Sequence, residues 1–310
     1  MKILVTGSTG LVGTALVMAL MREGHTVYRL VRPQSKMPKE RKDGFDVAWN
    51  PAAVESGGSP FADAQGKEVS ADAVVNLCGA SIAGGRWSKG RKELLRASRI
   101  DATRALVNAL AKMSPRPRVL VSASAIGIYG DRGEETLTEG SKPGSDFLAG
   151  LTAVWEGEAL KAEALAMRVV LARFGIILAR HGGALAKMLF PFRLGAGGRL
   201  GTGKQWMSWI TLEDTVGVIR FALENTVARG AINMVAPGTV RNAEFTRALA
   251  KVLHRPALFP APAFALRLAL GEMADALLLS GQRVAPQKLQ QLGYTFLFPE
   301  LPSALKAVLT

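Results

Sequence analysis

Two textures alternate through the first 180 positions of the chain. One is a set of short runs that are apolar almost throughout: "KILVT" (2–6), "TVYRLV" (26–31), "AVVNL" (73–77), "RVLVSAS" (118–124) and "RVVLARF" (168–174). They lack the in-out alternation of a half-exposed strand and read as strands covered on both faces of a parallel sheet. The other texture has apolar residues three and four apart. Leu11, Val12, Ala15, Leu16, Ala19 and Leu20 follow it and stop near Gly24, a natural helix end. Strand and helix in strict alternation predict an α/β fold with a doubly wound parallel sheet.

The pattern changes after about residue 180. "RHGGALAKMLFPFRLGAGGRLGTGKQWMSWI" (180–210) is irregular and rich in glycine and aromatics. The helix-like "LEDTVGVIRFALENT" and the strand-like "AINMVA" then rejoin the sheet, and the tail from Pro256 is apolar, with a helical run in "AFALRLALGEMADALLL". The expected organisation is a sheet domain over 1–180, joined again by 211–237. A smaller C-terminal lobe over 181–310 would include a module at 256–303 and leave a cleft between the two parts.

Composition narrows this picture. With 310 residues, 48% hydrophobic and 21% charged, the chain suits an ordinary globular protein. No apolar stretch reaches the roughly 18 residues of a membrane helix, and "MKILVTG" meets glycine too early for a secretory signal. The single cysteine, Cys78, excludes an intramolecular disulfide and fits a reducing compartment, the cytoplasm. His25, His181 and His254 stand apart, so no metal site is legible. The net charge of +14 thickens in "SKMPKERK" and "GRWSKGRKELLRASR". Without zinc-finger spacing, helix-turn-helix pattern or aromatic interleaving, a solvated basic surface is expected, with neither a nucleic-acid nor a membrane partner.

The candidate chemistry begins at the first strand. Gly7, Gly10 and Gly13 fill the turn after "KILVT" and the first turn of the following helix. Gly7 permits a tight turn, Gly10 lets backbone amides approach an anion, and Gly13 brings helix and strand together. The bare N–H groups and positive dipole end of the helix favour a diphosphate, so dinucleotide binding is expected. At the end of the second strand, Val31 is followed by Arg32 where a carboxylate would read a ribose hydroxyl. A guanidinium there suits a 2′-phosphate and predicts NADP. Arg99 lies about 40° from Leu95 at ~100° per residue, within the apolar stripe of Leu95, Ala102, Leu106 and Leu110. Its charge answers either a carboxylate or the cofactor, with the cofactor preferred.

Several motifs together resemble the extended short-chain dehydrogenase/reductase (SDR) superfamily: "VTGSTGLVG", "VVNLCGAS" and "VSASAIGIYGD". "WSKGRKELLRASRIDAT", "DFLAGLTAVWE", "RFGIIL", the 182–210 segment and "GQRVAPQKL" are similar to its atypical epimerase-like branch, SDR family 39U. The likeness covers the whole chain and implies a Rossmann sheet, NADP, and a C-terminal module of unknown function. It also implies cofactor contacts at Gly7, Thr9, Gly10, Leu11 and Val12, at Arg32 beside Val31, at Leu77, Cys78 and Gly79, at Arg99, and at Ser122 and Ala123.

Catalysis does not carry over so simply. Extended members use a serine or threonine with Tyr-x-x-x-Lys, the tyrosine moving a proton and the lysine lowering its pKa from about 10. Here Leu148 stands in the tyrosine slot and Thr152 in the lysine slot, while Ser124 keeps the serine slot. Tyr129 is either a substitute proton donor or the packing tyrosine of its turn. Asp146 and Glu156 read as a helix cap and a surface charge. Met207, Trp206 and Trp209 suit either a substrate pocket or the core. The expected function is an NADP(H)-dependent, epimerase-like oxidoreductase acting on a small molecule through Ser124 and Tyr129. The alternative is a protein that holds NADP(H) without turnover, and a homodimer through the helix after Glu93 is compatible with either.

Overall fold

The computed structural model describes residues 1–31, 45–49, 61 and 68–310. Its centre is a seven-stranded parallel sheet in the order β11-β7-β5-β4-β1-β2-β3. The strands are β1 (Lys2–Thr6), β2 (Thr26–Val31), β3 (Phe45–Ala48), β4 (Ala73–Asn76), β5 (Val119–Ala125), β7 (Arg168–Phe174) and β11 (Gly230–Met234). Five of them fall where the apolar runs predict strands, and "AINMVA" supplies the edge strand beside β7. The strand order reverses beside β1, the point at which a doubly wound sheet opens a crevice at its carboxyl ends.

Helices cover both faces. On one side α1 (Leu11–Arg22) and α6 (Leu212–Glu224) pack on Ile3, Val5, Val75, Val121 and Val170, all at most 1% exposed. On the other side α3 (Ala102–Ala111) and α4 (Phe147–Leu160) pack on Leu4, Val74, Leu120 and Val169, which are fully buried. Each such side chain contributes about 1.5–3 kcal/mol by leaving water, which is why the strand runs carry no polar alternation. The stripe through Leu95, Leu106 and Leu110 is also buried, but its helix is not regular. Between α2 (Lys89–Arg96) and α3 the chain makes a π turn at Ala97–Asp101. The extra residue in that turn changes where Arg99 projects.

The remaining elements build the lobe. They are β6 (Thr136–Leu137), β8 (Ile176–Leu178), α5 (Gly183–Arg193), β9 (Trp206–Met207), β10 (Trp209–Thr211), β12 (Val240–Arg241) and α7 (Asn242–Leu253). After them come α8 (Ala263–Leu270), α9 (Glu272–Ala274), β13 (Arg283–Val284), α10 (Gln287–Gln291) and α11 (Leu301–Leu309). Leu185, Leu189, Trp209, Phe245, Leu249 and Leu305 form its core. The apolar run at 263–279 is not one helix: Gly271, with φ +62°, breaks it, and α8 has no buried residue.

Two carboxylates, one fully buried and one half-buried, fasten the C-terminal segment to the sheet domain. Asp214, fully buried at the start of α6, accepts hydrogen bonds from the Leu297 and Phe298 amides at 2.8 and 3.1 Å. Glu139 accepts from the Asn233 and Lys288 amides at 3.0 and 3.2 Å. Leu289 and its neighbours Leu292, Tyr294 and Phe296 join the core on the α1–α6 face. The module therefore packs on the sheet domain as well as on the lobe.

Candidate functional site

At the carboxyl end of β1 the chain turns through Gly7, whose φ is +63°. A Cβ there would lie 2.4 Å from the Leu77 carbonyl oxygen, and one on Gly13 would lie 2.2 Å from the Gly7 oxygen. Only glycine lets the three backbones approach this closely. Helix α1 starts at Gly10 without a side-chain cap and without an acidic residue in its first turn. The Gly10 amide closes the turn on the Gly7 carbonyl oxygen at 3.0 Å, and around it Thr9 and Gly10 are exposed and Leu11 and Val12 half-buried, at a helix start whose positive end favours an anion.

Behind the turn, Asn76 ties four elements together. Its Oδ1 accepts from Thr6 Oγ1 at 2.8 Å, and its Nδ2 donates to Thr103 Oγ1 at 2.9 Å and Ser122 Oγ at 3.1 Å. Thr6 Oγ1 in turn accepts the Leu77 amide at 3.0 Å, and Trp155 Nε1 donates to Thr103 Oγ1 at 3.0 Å. This fully buried asparagine fixes where β4 delivers Leu77, Cys78 and Gly79. Sequence reasoning missed it, although a polar residue inside an apolar strand run is a signal of a hub. Ser122 is fully buried in that network, and Ala123, 7% exposed, packs with Leu95 and Trp155.

Arg99 reaches the same rim. It donates to the carbonyls of Ala80 at 3.0 Å and Leu95 at 3.3 Å, lies over the Trp155 ring at 5.4 Å, and would meet a Cβ on Gly79 at 3.2 Å. None of the described carboxylates pairs with it. Burial, with a smaller push from Arg91, lowers its pKa from the usual guanidinium range to about 10, so it is still a cation at neutral pH. A desolvated cation at the rim of a cradle that a side chain would fill fits an anionic cofactor. Arg32 lies outside the described residues, directly after half-buried Val31.

The structure gathers Ser124 and Tyr129 into one buried network. Ser124, 2% exposed, donates to Glu156 Oε1 at 2.5 Å. Glu156 is held bidentately by Arg173, Nε to Oε1 and Nη2 to Oε2, both at 2.8 Å. Arg173 Nη1 donates to the Tyr129 hydroxyl at 2.9 Å, and that hydroxyl donates to Asn233 Oδ1 at 2.6 Å. Burial alone lowers the Arg173 pKa, but the hydrogen bonds and charge of Glu156 outweigh it and hold the group above its ordinary range. Tyr129 is fully buried, and burial raises its pKa against the opposing pull of Arg173. Glu156 is thus no surface charge, as its helical position suggests, but a 7%-exposed carboxylate facing β5. Leu148, Thr152 and Glu156 follow one another at helical spacing on α4, so the stripe that would carry Tyr-x-x-x-Lys ends in this ion pair.

Other candidate residues fall elsewhere. Asp146 caps α4, its Oδ1 accepting the Ala149 amide at 2.9 Å. Trp209 and Met207 belong to the lobe core, and Trp206 lies between the guanidinium groups of Arg241 and Arg283, at 4.3 and 4.8 Å from its ring. Over the ends of β4, β5 and β7, an apolar cluster brings Trp87 and Phe147 to Leu77, Ala80, Ala123 and Phe174. The two rings meet edge-on at 5.2 Å. Among the described residues no helix is long and apolar enough to cross a membrane.

Comparison with known proteins agrees with this geometry. The description of the NAD dependent epimerase/dehydratase family matches residues 3–235, and that of a domain of unknown function (DUF1731) matches 261–308. The chain is 39% identical over 310 residues to the epimerase family protein YfhF of Bacillus subtilis, covering 100% of this chain and 98% of that protein. It is 41% identical over 313 residues to the SDR39U1 homolog of Arabidopsis thaliana, named as chloroplastic, covering 100% and 87%. The fold matches the crystal structure of human epimerase family protein SDR39U1 (isoform 2) with NADPH, at a TM-score of 0.85 and 32% identity, covering 100% and 99%.

Proposed function

The chain belongs to the NAD dependent epimerase/dehydratase family, and from that premise we propose that it binds NADP(H) and acts as an epimerase-like oxidoreductase on a small molecule. The observation that carries this reading is the glycine cradle at β1, with its uncapped helix and a rim guanidinium that, among the described residues, hydrogen-bonds to carbonyls and pairs with no carboxylate. The amides of Thr9, Leu11 and Val12 would hold the diphosphate, with Gly7 and Gly10 making the turn that lets it approach. Arg32 would read the 2′-phosphate, and Leu77, Cys78, Gly79, Ala123 and Arg99 would border the rest. The human relative solved with NADPH supports the choice of nucleotide. When bound, the nicotinamide supplies or accepts a hydride.

Within this reading Ser124 and Tyr129 are positioning residues. Ser124 commits its proton to Glu156, so it offers lone pairs rather than a donor. Asn76 and Ser122 hold the strand ends in place behind the cofactor. The single cysteine keeps the cytoplasm as the proposed compartment. The alternative, binding without turnover, draws on Leu148 and Thr152 in the two slots where acid–base groups would stand.

Titration of the protein with NADPH and NADH, followed by nucleotide fluorescence, tests the reading. NADPH should bind at least tenfold more tightly than NADH. Arg99→Met should weaken NADPH at least tenfold while leaving the thermal midpoint unchanged or higher, because it removes a desolvated cation. Equal affinities for the two nucleotides would overturn the assignment of NADP.

A further inference from the structure

Among the described residues, the positions that would carry the serine, tyrosine and lysine of the family's proton relay offer a hydride acceptor no free acid. Leu148 and Thr152 do not titrate. The Ser124 proton goes to Glu156, that carboxylate is clamped by Arg173, and the Tyr129 hydroxyl is buried on Asn233. The mouth does offer two half-exposed aromatic rings, Trp87 and Phe147, in edge contact. Above Phe147 stand two cations, Lys92 Nζ at 4.7 Å and the Arg96 guanidinium at 5.3 Å from the ring. Lys92 also pairs with Glu272 of the C-terminal module at 2.6 Å. Arg86, Lys89 and Arg91 lie on the same segment, against Glu93 alone.

From this arrangement, and resting on the NADP(H) reading above, we propose that the substrate is a planar quinone-type acceptor rather than an alcohol or simple ketone. Hydride addition to a ketone makes an alkoxide, whose conjugate acid ionises near water's ~16, so the step needs a donor. Such donors contribute about 10²–10⁴ in rate. Hydride addition to a quinone makes a hydroquinone monoanion, a phenol-type product that ionises near ~10. In that step the reduced nicotinamide loses two electrons and one hydrogen nucleus. The quinone gains one new bond to hydrogen and one negative charge, and water supplies the second proton afterwards. Lys92 and Arg96 stabilise the developing anion, and the touching pair Trp87 and Phe147 gives the flat ring one apolar wall to lie against. The same cations disfavour an iminium acceptor, which would also need no donor but carries positive charge.

The test uses the intact protein with NADPH. Binding is first measured by nucleotide fluorescence, and oxidation is then followed at the nicotinamide absorbance with menadione or acetophenone, each corrected for the protein-free rate. Menadione should oxidise NADPH at least 100-fold faster than acetophenone, with less than about a threefold change in rate between pH 6 and 8.5. Without NADPH, menadione should quench tryptophan fluorescence, and Trp87→Phe should lose most of that quenching. Lys92→Ala, at a surface ion pair that the fold does not need, should lower kcat/KM for menadione at least fivefold while leaving NADPH affinity intact. If NADPH binds but acetophenone is consumed as fast, or neither acceptor is reduced, or Lys92→Ala changes nothing, the quinone assignment is wrong and the binding reading stands. If NADPH does not bind, the proposed function itself fails.

Discussion

Glu156→Gln is the perturbation that most directly tests how the centre is built. The substitution keeps the shape and one acceptor but removes the charge that Arg173 answers. Arg173 is 8% exposed, and its other partners are the Tyr129 hydroxyl and the Glu139 carbonyl, both neutral. Breaking a buried pair from one side costs about 3–5 kcal/mol, because the remaining charge is left without compensation. Urea slopes are ~1–3 kcal/mol per molar for small proteins and rise with size, so the unfolding midpoint should fall by about 1 M or more. The control is Asp275→Asn, which removes the partner of Arg267 in a pair whose side chains are 53% and 56% exposed. Solvent screens that pair, and its midpoint should stay within error. Adding Arg173→Met to Glu156→Gln should recover part of the loss, since no lone charge then remains. Parallel urea curves for the four proteins measure all of this. A shift below about 0.3 M for Glu156→Gln, or one equal to that of Asp275→Asn, would refute the claim that this ion pair organises the centre.

Gly13→Ala places a methyl 2.2 Å from the Gly7 oxygen and should weaken NADPH at least tenfold in a fluorescence titration. Gly90→Ala, in open space on α2, should leave that affinity unchanged. Asp214→Ala strands the Leu297 and Phe298 amides, at about 1–3 kcal/mol for each unsatisfied donor. Limited proteolysis should then cut the 297–310 segment before the sheet domain. The pKa values of Tyr294 and Tyr129 are both raised by burial above the usual phenol value. A raised acid contributes stability that is present below its unfolded pKa of ~10 and lost as pH climbs above it. Unfolding midpoints should therefore drop above about pH 10, and Tyr294→Phe should flatten that fall.

Periodicity alone located the strands of the central sheet closely, since runs covered on both sides have no other way to read. β3 escaped, being only four residues, with Val47 fully buried and Phe45 exposed. The tail misled for a different reason. Its apolar density suggests core, yet Phe264 and Leu268 are 73% and 79% exposed, because among the described residues no opposing element covers that side of α8. The glycine cradle was legible because its requirement is local, a backbone that admits no Cβ. The Ser124–Glu156–Arg173–Tyr129 chain was not, because it joins residues 32, 17 and 44 positions apart whose meeting depends on the sheet order. Arg99 was visible as a misplaced charge, but the π turn that aims it left no mark in the spacing.

The anchoring of Asp214 by amides 83 and 84 positions further on has a consequence for biosynthesis. At a ribosome adding about 5–20 residues per second, α6 would wait some ~4–17 s with this carboxylate lacking its two amide donors and held by the Thr211 hydroxyl. During that interval the apolar flank destined for Leu289, Tyr294 and Phe296 stays open to water and to other nascent chains. Maturation of the leading half is thus tied to synthesis of the segment at 289–298, and a polypeptide stalled or released before it would expose this flank to chaperones and proteases.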